Sequence, residues 1–246
     1  MKILVIGASG HVGGLIVHLL ATHYSHELTL FDIRAPAYDP PSGARLIKGD
    51  LLDKKALAST VASAEYDAVL FLAMGANVPG DRSATTQSAF DVNARGVWLA
   101  CQAAVEAGIR RFVLASSLSV YEDCFTRPLP HGDEPPDATS LYGLTKGFGE
   151  AALCVWTQRS DPERRLAGIA LRLCLPVADE VEVERMYQIG RGDCALTADE
   201  TARAFHAALT VPHQGFAAVP VVGRHARDRV NLERTKTLLD WEPGRA

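Results

Sequence analysis

KILVIGASGHVGG, Lys2–Gly14, decides how this chain folds. Lys2 to Ile6 is a short run of mostly branched apolar residues, the pattern of a strand covered on both faces. Gly7, Gly10 and Gly13 follow at intervals of three, and "LIVHLL" then continues with helical character. An apolar start of this kind also resembles a secretory leader, but Gly7, Gly10, Gly13 and Gly14 break the run too early for one. No window offers a clean transmembrane span. The stretch therefore predicts a buried strand, a tight turn and a helix.

The same alternation continues outward. Leu28–Asp32 is the second strand, "RLIKGD" the third, ending at Asp50, and "YDAVLFLA" the fourth. Helical periods cover Leu52–Ala64 and Ser88–Ala107, with Gly108 as the C-terminal stop. "RRFVLASS" is strand five, Leu141–Gln158 a helix and "AGIALRLCLP" strand six. The stretch from Phe125 to Ser140, rich in Pro, Asp and Gly, is a loop. Beyond it, "TADETARAFHAAL" and "NLERTKTLLDW" predict helices and "GFAAVPVVG" a strand. The fold class expected is α/β, a doubly wound parallel sheet with helices on both faces. Residues 1–175 would form a dinucleotide-binding core that includes the helix at 141–158. Residues 176–246 would form a small substrate-binding portion, with some elements returning to the core.

Composition excludes several classes. Hydrophobic residues make up 48% and charged residues 22%, with a formal net charge of -4 and no basic block. That balance speaks against a nucleic-acid or membrane-surface partner. The eight histidines show no metal-ligand spacing, so no metal is expected. The five cysteines, at 101, 124, 154, 174 and 194, are widely spaced and contain no C-x-x-C. Reduced thiols in a cytoplasmic chain are the simplest account.

The glycine turn predicts a dinucleotide site. Gly7 permits the turn, Gly10 lets the backbone approach a pyrophosphate, and Gly13 lets the helix pack closely on the sheet. The helix N-terminus adds free N–H groups and a positive field. Asp32 closes the second strand 25 residues after Gly7. Its carboxylate would accept both adenosine ribose hydroxyls and repel a 2′-phosphate, which favours NAD over NADP. Arg34 nearby could instead turn toward a phosphate. Expected cofactor contacts are Gly7, Ser9, Gly10, His11, Val12 and Gly13 in the turn and Asp32 and Arg34 after strand two. Asp50 and Leu51 follow strand three. Leu72, Ala73 and Gly75, with Ala76, follow strand four.

"LYGLTKGFGE", Leu141–Glu150, carries the second half of the chemistry. Tyr142 and Lys146 stand four apart and share one helical face. The pair is either an ordinary aromatic–lysine contact or a phenol tuned to move protons. Ser116 and Ser117 end strand five, where a doubly wound sheet places its ligands. A tyrosine is a poor base near neutrality, and ionising it there calls for roughly 4 kcal/mol of differential stabilisation. The Lys146 ammonium and an oxidised nicotinamide are two cations able to supply it. Tyr142 would take a proton from a substrate hydroxyl, Ser117 would hold the oxygen and Lys146 would hold the nicotinamide ribose.

The stretches "GASGHVGG", "FDIR", "KGDLLD", "VLFLAMGA", "FDVNARGVWLACQAA", "RFVLASSLSVY", "YGLTKGFGE" and "LRLCLP" together resemble the extended short-chain dehydrogenase/reductases, the NAD-dependent epimerase/dehydratase group. "TADETARAFHAAL" and "LLDWEP" are similar too. The resemblance implies a Rossmann-like core, NAD, and catalytic roles for Ser117, Tyr142 and Lys146. It also implies that Asn93 supports the site and that Asp50 and Leu51 bracket the adenine. A homodimer through Val92–Ala107 and Gly143–Val155 is implied as well.

Compact members of that group that oxidise uronic acids are the most similar. They share the short C-terminal part, the "DIR" and the "YG…K.FGE" helix, and their R-M element matches Arg185-Met186. Arg185 would then clamp a sugar carboxylate, or else it simply answers Glu182 and Glu184 in solvent. After the double serine those enzymes carry Asn-His, whereas Leu118-Ser119 stands here, and Leu118 is expected at the substrate. His131 would close over the substrate or lie exposed, and Thr126 would reach a sugar hydroxyl. Cys124 and Cys174 lack a paired base and are not expected as nucleophiles. Only 71 residues follow Leu175, so a small polar substrate is expected rather than a nucleotide sugar. The leading expectation is an NAD-dependent dehydrogenase of a small sugar or sugar acid. The alternatives are an epimerase or dehydratase that keeps its cofactor, and a non-catalytic dinucleotide-binding protein.

Overall fold

Side-chain alternation on β1 (Lys2–Ile6) explains the layering of the molecule. Ile3 and Val5 enter one core and Leu4 and Ile6 the other, because successive strand residues point to opposite faces. The computed structural model describes residues 1–75, 78–124, 126–129, 134–159, 161–190, 193–226 and 228–244. Its seven strands form one parallel sheet in the order β3-β2-β1-β4-β5-β6-β7. They are β2 (Glu27–Asp32), β3 (Arg45–Lys48), β4 (Ala68–Phe71), β5 (Arg111–Ser117), β6 (Ala167–Leu173) and β7 (Phe216–Val221), with β1 between β2 and β4. Strand order therefore reverses between β1 and β4, and a crevice opens beyond their carboxyl ends.

Helices cover both faces. On one side α1 (His11–Thr22) and α7 (Ala198–Thr210) bury Ile16, Leu20, Phe205 and Leu209, with Trp241 beneath them. On the other, α2 (Lys54–Val61), α4 (Val97–Glu106) and α5 (Leu141–Thr157) bury Leu57, Val97, Leu153 and Trp156. Each fully buried side chain of this size contributes about 1.5–3 kcal/mol. The chain stops α4 with Gly108 in the left-handed region at φ +81. There Gly108 N donates to Val105 O and Ile109 N to Ala104 O, a helix-ending pair that glycine makes cheaply.

The expected helix over 88–107 is interrupted. After α3 (Arg82–Phe90), Asp91–Gly96 winds as a π-turn before α4 resumes. Strand three ends at Lys48 rather than Asp50, because the Asp50 carboxylate accepts from Leu52 N at 2.8 Å and bends the chain into a turn. Strand four is only Ala68–Phe71. Helix α6 (Glu180–Gln188) was not foreseen. Asp179 caps it by accepting from Glu182 N, and its few apolar positions gave a weak period. Helix α8 (Glu233–Leu239) follows β7. Strand β7 is an edge of the sheet and contains Pro220, whose carbonyl accepts from Thr235 Oγ1 at 2.7 Å. Among the described residues no helix is long and apolar enough to cross a membrane.

Candidate active site

A cleft of about 650 Å³ lies beyond the carboxyl ends of β1, β2, β4, β5 and β6. The glycine turn forms its floor at one end. Gly7 sits at φ +85, and a Cβ there would stand 2.3 Å from Ala73 N, so only glycine lets the turn approach the β4 loop. A Cβ on Gly13 would stand 1.9 Å from Ala8 O. Gly13 therefore packs under the turn, while Gly7, Gly10, His11 and Val12 face the cleft. Gly10 is the N-cap residue of α1 and brings no side-chain cap, which leaves the first N–H groups of the helix free to meet an anion.

Asp32 ends β2 in the cleft wall. Its Oδ2 accepts from Ser9 N at 2.9 Å and its Oδ1 from Arg34 N at 3.2 Å. These contacts orient the carboxylate and leave each oxygen a further lone pair for a hydroxyl. Ser9 also donates its hydroxyl to Arg34 O, and Arg34 reaches back to Ser9 O at 3.4 Å. Tyr38 belongs to the same patch and was missed in the sequence. Its hydroxyl donates to Ala8 O, and burial, with the Asp32 charge second, pushes its pKa up to about 12. Asp50, Leu51, Leu72, Ala73 and Gly75 complete this half of the lining. Ala76 lies outside the described residues.

The other half is built on β5 and α5. Ser117 ends β5, and its Oγ accepts from Ser119 N at 3.1 Å and hydrogen-bonds the Tyr142 phenol. Ser140 caps α5 by accepting from Gly143 N. Gly143 must be small, since a Cβ there would stand 1.8 Å from Ser119 O. Tyr142, Lys146 and Glu150 recur once per turn along one face of α5. Lys146 is buried and donates Nζ to Ala115 O at 2.8 Å. Its Nζ stands 5.9 Å from the centre of the Tyr142 ring. Burial lowers the lysine pKa to about 8, against the attraction of Glu150.

The tyrosine departs from expectation. Burial holds the Tyr142 phenol above its ordinary value; the Ser117 hydrogen bond pulls it down, and Cys174 pushes it up. The phenol of the chain by itself is thus a proton donor at neutral pH.

Sequence reasoning missed the network behind Lys146. Glu150 accepts from Ser116 Oγ at 2.6 Å, from Arg172 Nε at 3.0 Å and from Arg172 Nη2 at 2.8 Å. Arg172 also donates to Tyr121 OH and stacks 4.9 Å from its ring centre. Glu150 at four residues past Lys146 was a local signal; its partner on β6 was not. Asn93 lies beneath the cleft rather than in it. Its Oδ1 accepts from Gly75 N and its Nδ2 donates to Thr145 Oγ1, both at 3.0 Å.

Three substrate expectations fall elsewhere. Leu118 enters a short 3-10 turn and packs with Val120, Tyr121 and Cys124, fully buried, so its side chain is no part of the cleft wall. Arg185 is on α6, its side chain 57% exposed, paired with Glu182 at 2.6 Å. It adopts the solvated alternative and does not line the cleft. Thr126 is exposed and spends its hydroxyl on Asp123 O, and His131 lies outside the described residues.

This arrangement suits a dinucleotide at one end and proton transfer at the other. The profile of the NAD dependent epimerase/dehydratase family matches residues 3–188. A UDP-glucose 4-epimerase of Neisseria meningitidis serogroup C is 29% identical over 186 residues, 72% of this chain and 53% of its own. An L-arabinose 1-dehydrogenase (NAD(P)(+)) of Haloferax volcanii is 31% identical over 163 residues, 61% of this chain and 59% of its own. The chain spans about half the length of the curated epimerases it matches. The structure of glucuronic acid dehydrogenase from Chromohalobacter salexigens superposes with a TM-score of 0.76 at 22% identity, covering 100% of this chain and 85% of that one.

Proposed function

The chain belongs to the NAD dependent epimerase/dehydratase family, and from that premise we propose that it is an NAD-dependent dehydrogenase of a small sugar or sugar acid. One observation carries the reading: the glycine turn with Asp32 and the Ser117–Tyr142–Lys146 group line the same cleft. The cleft residues fit NAD. Gly10 leaves its backbone open to a pyrophosphate, and the oriented Asp32 carboxylate suits ribose hydroxyls. When bound, the nicotinamide supplies the hydride acceptor.

In this reading Ser117 donates to the substrate oxygen, and Tyr142 takes the hydroxyl proton. A base must lose its own proton first, and a phenol held high by burial does so reluctantly. A positive charge arriving beside the phenol favours its ionised form. Lys146, at a pKa of about 8, stands close to its own titration point near neutrality. A small change around its Nζ therefore alters its charge. Lys146 is in this account the group that holds the ribose and modulates the phenol.

A small substrate is supported by the interior of the chain. Between β6 and α7 only residues 174–197 intervene, with α6 the one helix described there, which gives little wall for a nucleotide sugar. The resemblance to the Haloferax and Chromohalobacter dehydrogenases supports net oxidation. The similarity to UDP-glucose 4-epimerase supports a second reading, in which the same groups return the hydride and the cofactor stays bound.

The test is NADH formation by the purified protein with NAD and a panel of sugars, uronic acids and hydroxy acids. Tyr142→Phe is expected to lower turnover by about 10²–10⁴-fold, the usual worth of a positioned acid–base group, while leaving NAD affinity nearly unchanged. Tight NAD binding without NADH from any of these compounds sinks net oxidation and favours the epimerase. Failure to bind NAD sinks both readings.

We further propose a homodimer through α3, α4 and α5. These helices expose Phe90, Trp98, Leu144, Phe148 and Val155, with the Phe90 and Phe148 rings 6.0 Å apart.

A further inference from the structure

Three of the five cysteines, 124, 174 and 194, meet in one small buried cluster beside the cleft. Cys174 directly follows β6, between Leu173 and Leu175, which both line the cleft. The sequence gives these thiols no C-x-x-C spacing; the fold brings them together.

The geometry is specific. Arg229 Nη2 donates to Cys194 Sγ at 2.9 Å, and Arg229 Nη1 donates to Cys124 O. Cys174 and Cys194 stand close enough that each thiol shifts the ionisation of the other. The two segments run parallel: Pro176 bridges Leu196, Val177 N donates to Leu196 O at 2.9 Å, and Leu196 N donates to Leu175 O at 3.4 Å. Leu175, at φ +45, turns the chain between that bridge and Cys174, and both cysteines enter the same buried cluster. Among the described residues no group fits a metal ion, so thiol chemistry is what the cluster offers.

We propose that Cys194 and Cys174 are an oxidisable pair directly behind the cleft wall, Cys194 attacking a hydroperoxide and Cys174 resolving it to a disulfide. The guanidinium of Arg229 and the Cys174 thiol favour sulfur carrying charge at position 194; Asp193 opposes them, and burial opposes them too. Burial and the Cys194 charge hold Cys174 as the thiol. The Cys194 thiolate bonds to the distal peroxide oxygen, the O–O bond breaks, and the departing hydroxide or alkoxide takes up a proton. Cys174 sulfur then bonds to Cys194 sulfur, the S–O bond breaks, and water leaves with the Cys174 proton. Two thiols are oxidised and one peroxide is reduced, with two water molecules formed from hydrogen peroxide. The bond fixes Cys174, which acts on the Tyr142 phenol, and so alters the cleft.

The test treats the whole reduced protein with hydrogen peroxide, alkylates it in denaturant and maps its peptides by mass. The expected product is a Cys174–Cys194 cross-link, lighter by two hydrogens and reversed by dithiothreitol, with the other cysteines alkylated. Cys194→Ser is expected to leave Cys174 alkylatable, and Cys124→Ser to leave the cross-link intact. A cross-link to Cys124, or overoxidised Cys194 with Cys174 still free, overturns the pairing. Full alkylation of all five cysteines at every peroxide dose overturns the oxidation itself. Coupling to the cleft rests on the dinucleotide reading and is measured separately, as NAD affinity before and after oxidation. A loss of about tenfold, in the usual range of site-to-site coupling, restored by reduction, is expected; a cross-linked protein of unchanged affinity overturns the coupling. Absence of NAD binding in the reduced protein instead counts against the dinucleotide reading and leaves the mass result standing.

Discussion

Lys146 shows how one residue can set a pH window. Its pKa falls from 10.5 to about 8 in the folded chain because burial disfavours the ammonium. Between those values the unfolded chain holds a proton that the folded chain has released, so stability rises with pH across that interval and is lower below about pH 8. The expected gain is roughly 3 kcal/mol for a shift of this size. Denaturant unfolding from pH 7 to 10 would show it as a difference between the native chain and Lys146→Met; parallel curves for the two would refute it. Tyr142 and Lys146 were legible in the sequence because one helix carries both at a fixed spacing. Glu150 stands in the same stretch, yet its role was not legible, since Arg172 arrives from β6 and no local pattern announces it. Buried together, the two charges are mutually dependent, and either alone would be costly. Arg185 and Leu118 fall outside the cleft for simpler reasons. An arginine three residues after a glutamate on an exposed helix has a partner at hand, and a residue following a strand end need not face the crevice.

At the scale of elements, the π-turn at Asp91–Gly96 is the feature that periodicity could not announce. A helical period tolerates one turn of altered pitch without changing which residues are apolar. The turn places Asn93 so that its amide joins the β4 loop at Gly75 to α5 at Thr145. A Cβ on Gly149 would stand 2.5 Å from Asn93 O, so α5 can lie against the turn only because that residue is glycine. Asn93→Ala leaves the part-buried Gly75 N–H and the buried Thr145 hydroxyl without this partner and should cost about 1–3 kcal/mol. Chemical denaturation measures this directly. A variant as stable as the native chain would mean that the amide only fills space. The seven strands were all legible, because buried parallel strands are continuous apolar runs. Their ends were less so: β3 stopped early where Asp50 found a backbone donor, which competes with the ladder. Helix α6 was missed because Val183 is its one buried residue.

For the whole molecule, the exposed aromatic surface of α3, α4 and α5 is the clearest unfinished face. Phe148 is 46% exposed and Phe90 39%, adjacent and apolar, as a symmetric interface requires of a patch meeting its own copy. Phe148→Glu should shift the protein from dimer to monomer in light scattering, with the sheet core intact by circular dichroism. A native chain that is monomeric at the highest attainable concentration would refute the interface. In the sequence this face was ambiguous, since the small residues of Val92–Ala107 and Gly143–Val155 suit packing between subunits and packing against the sheet alike. The opposite flank has a different fate. Along β7, residues 215 and 221 turn their carbonyls toward β6, so Pro220 points its peptide away from the sheet. That outward position has no N–H to offer, and its oxygen is held by Thr235. An incoming extended chain would find a gap in the ladder where it most needs a rung. The flank thus carries a built-in gap: a chain laid along it meets no donor at position 220, and crowding finds a poorer template there than on an unbroken edge.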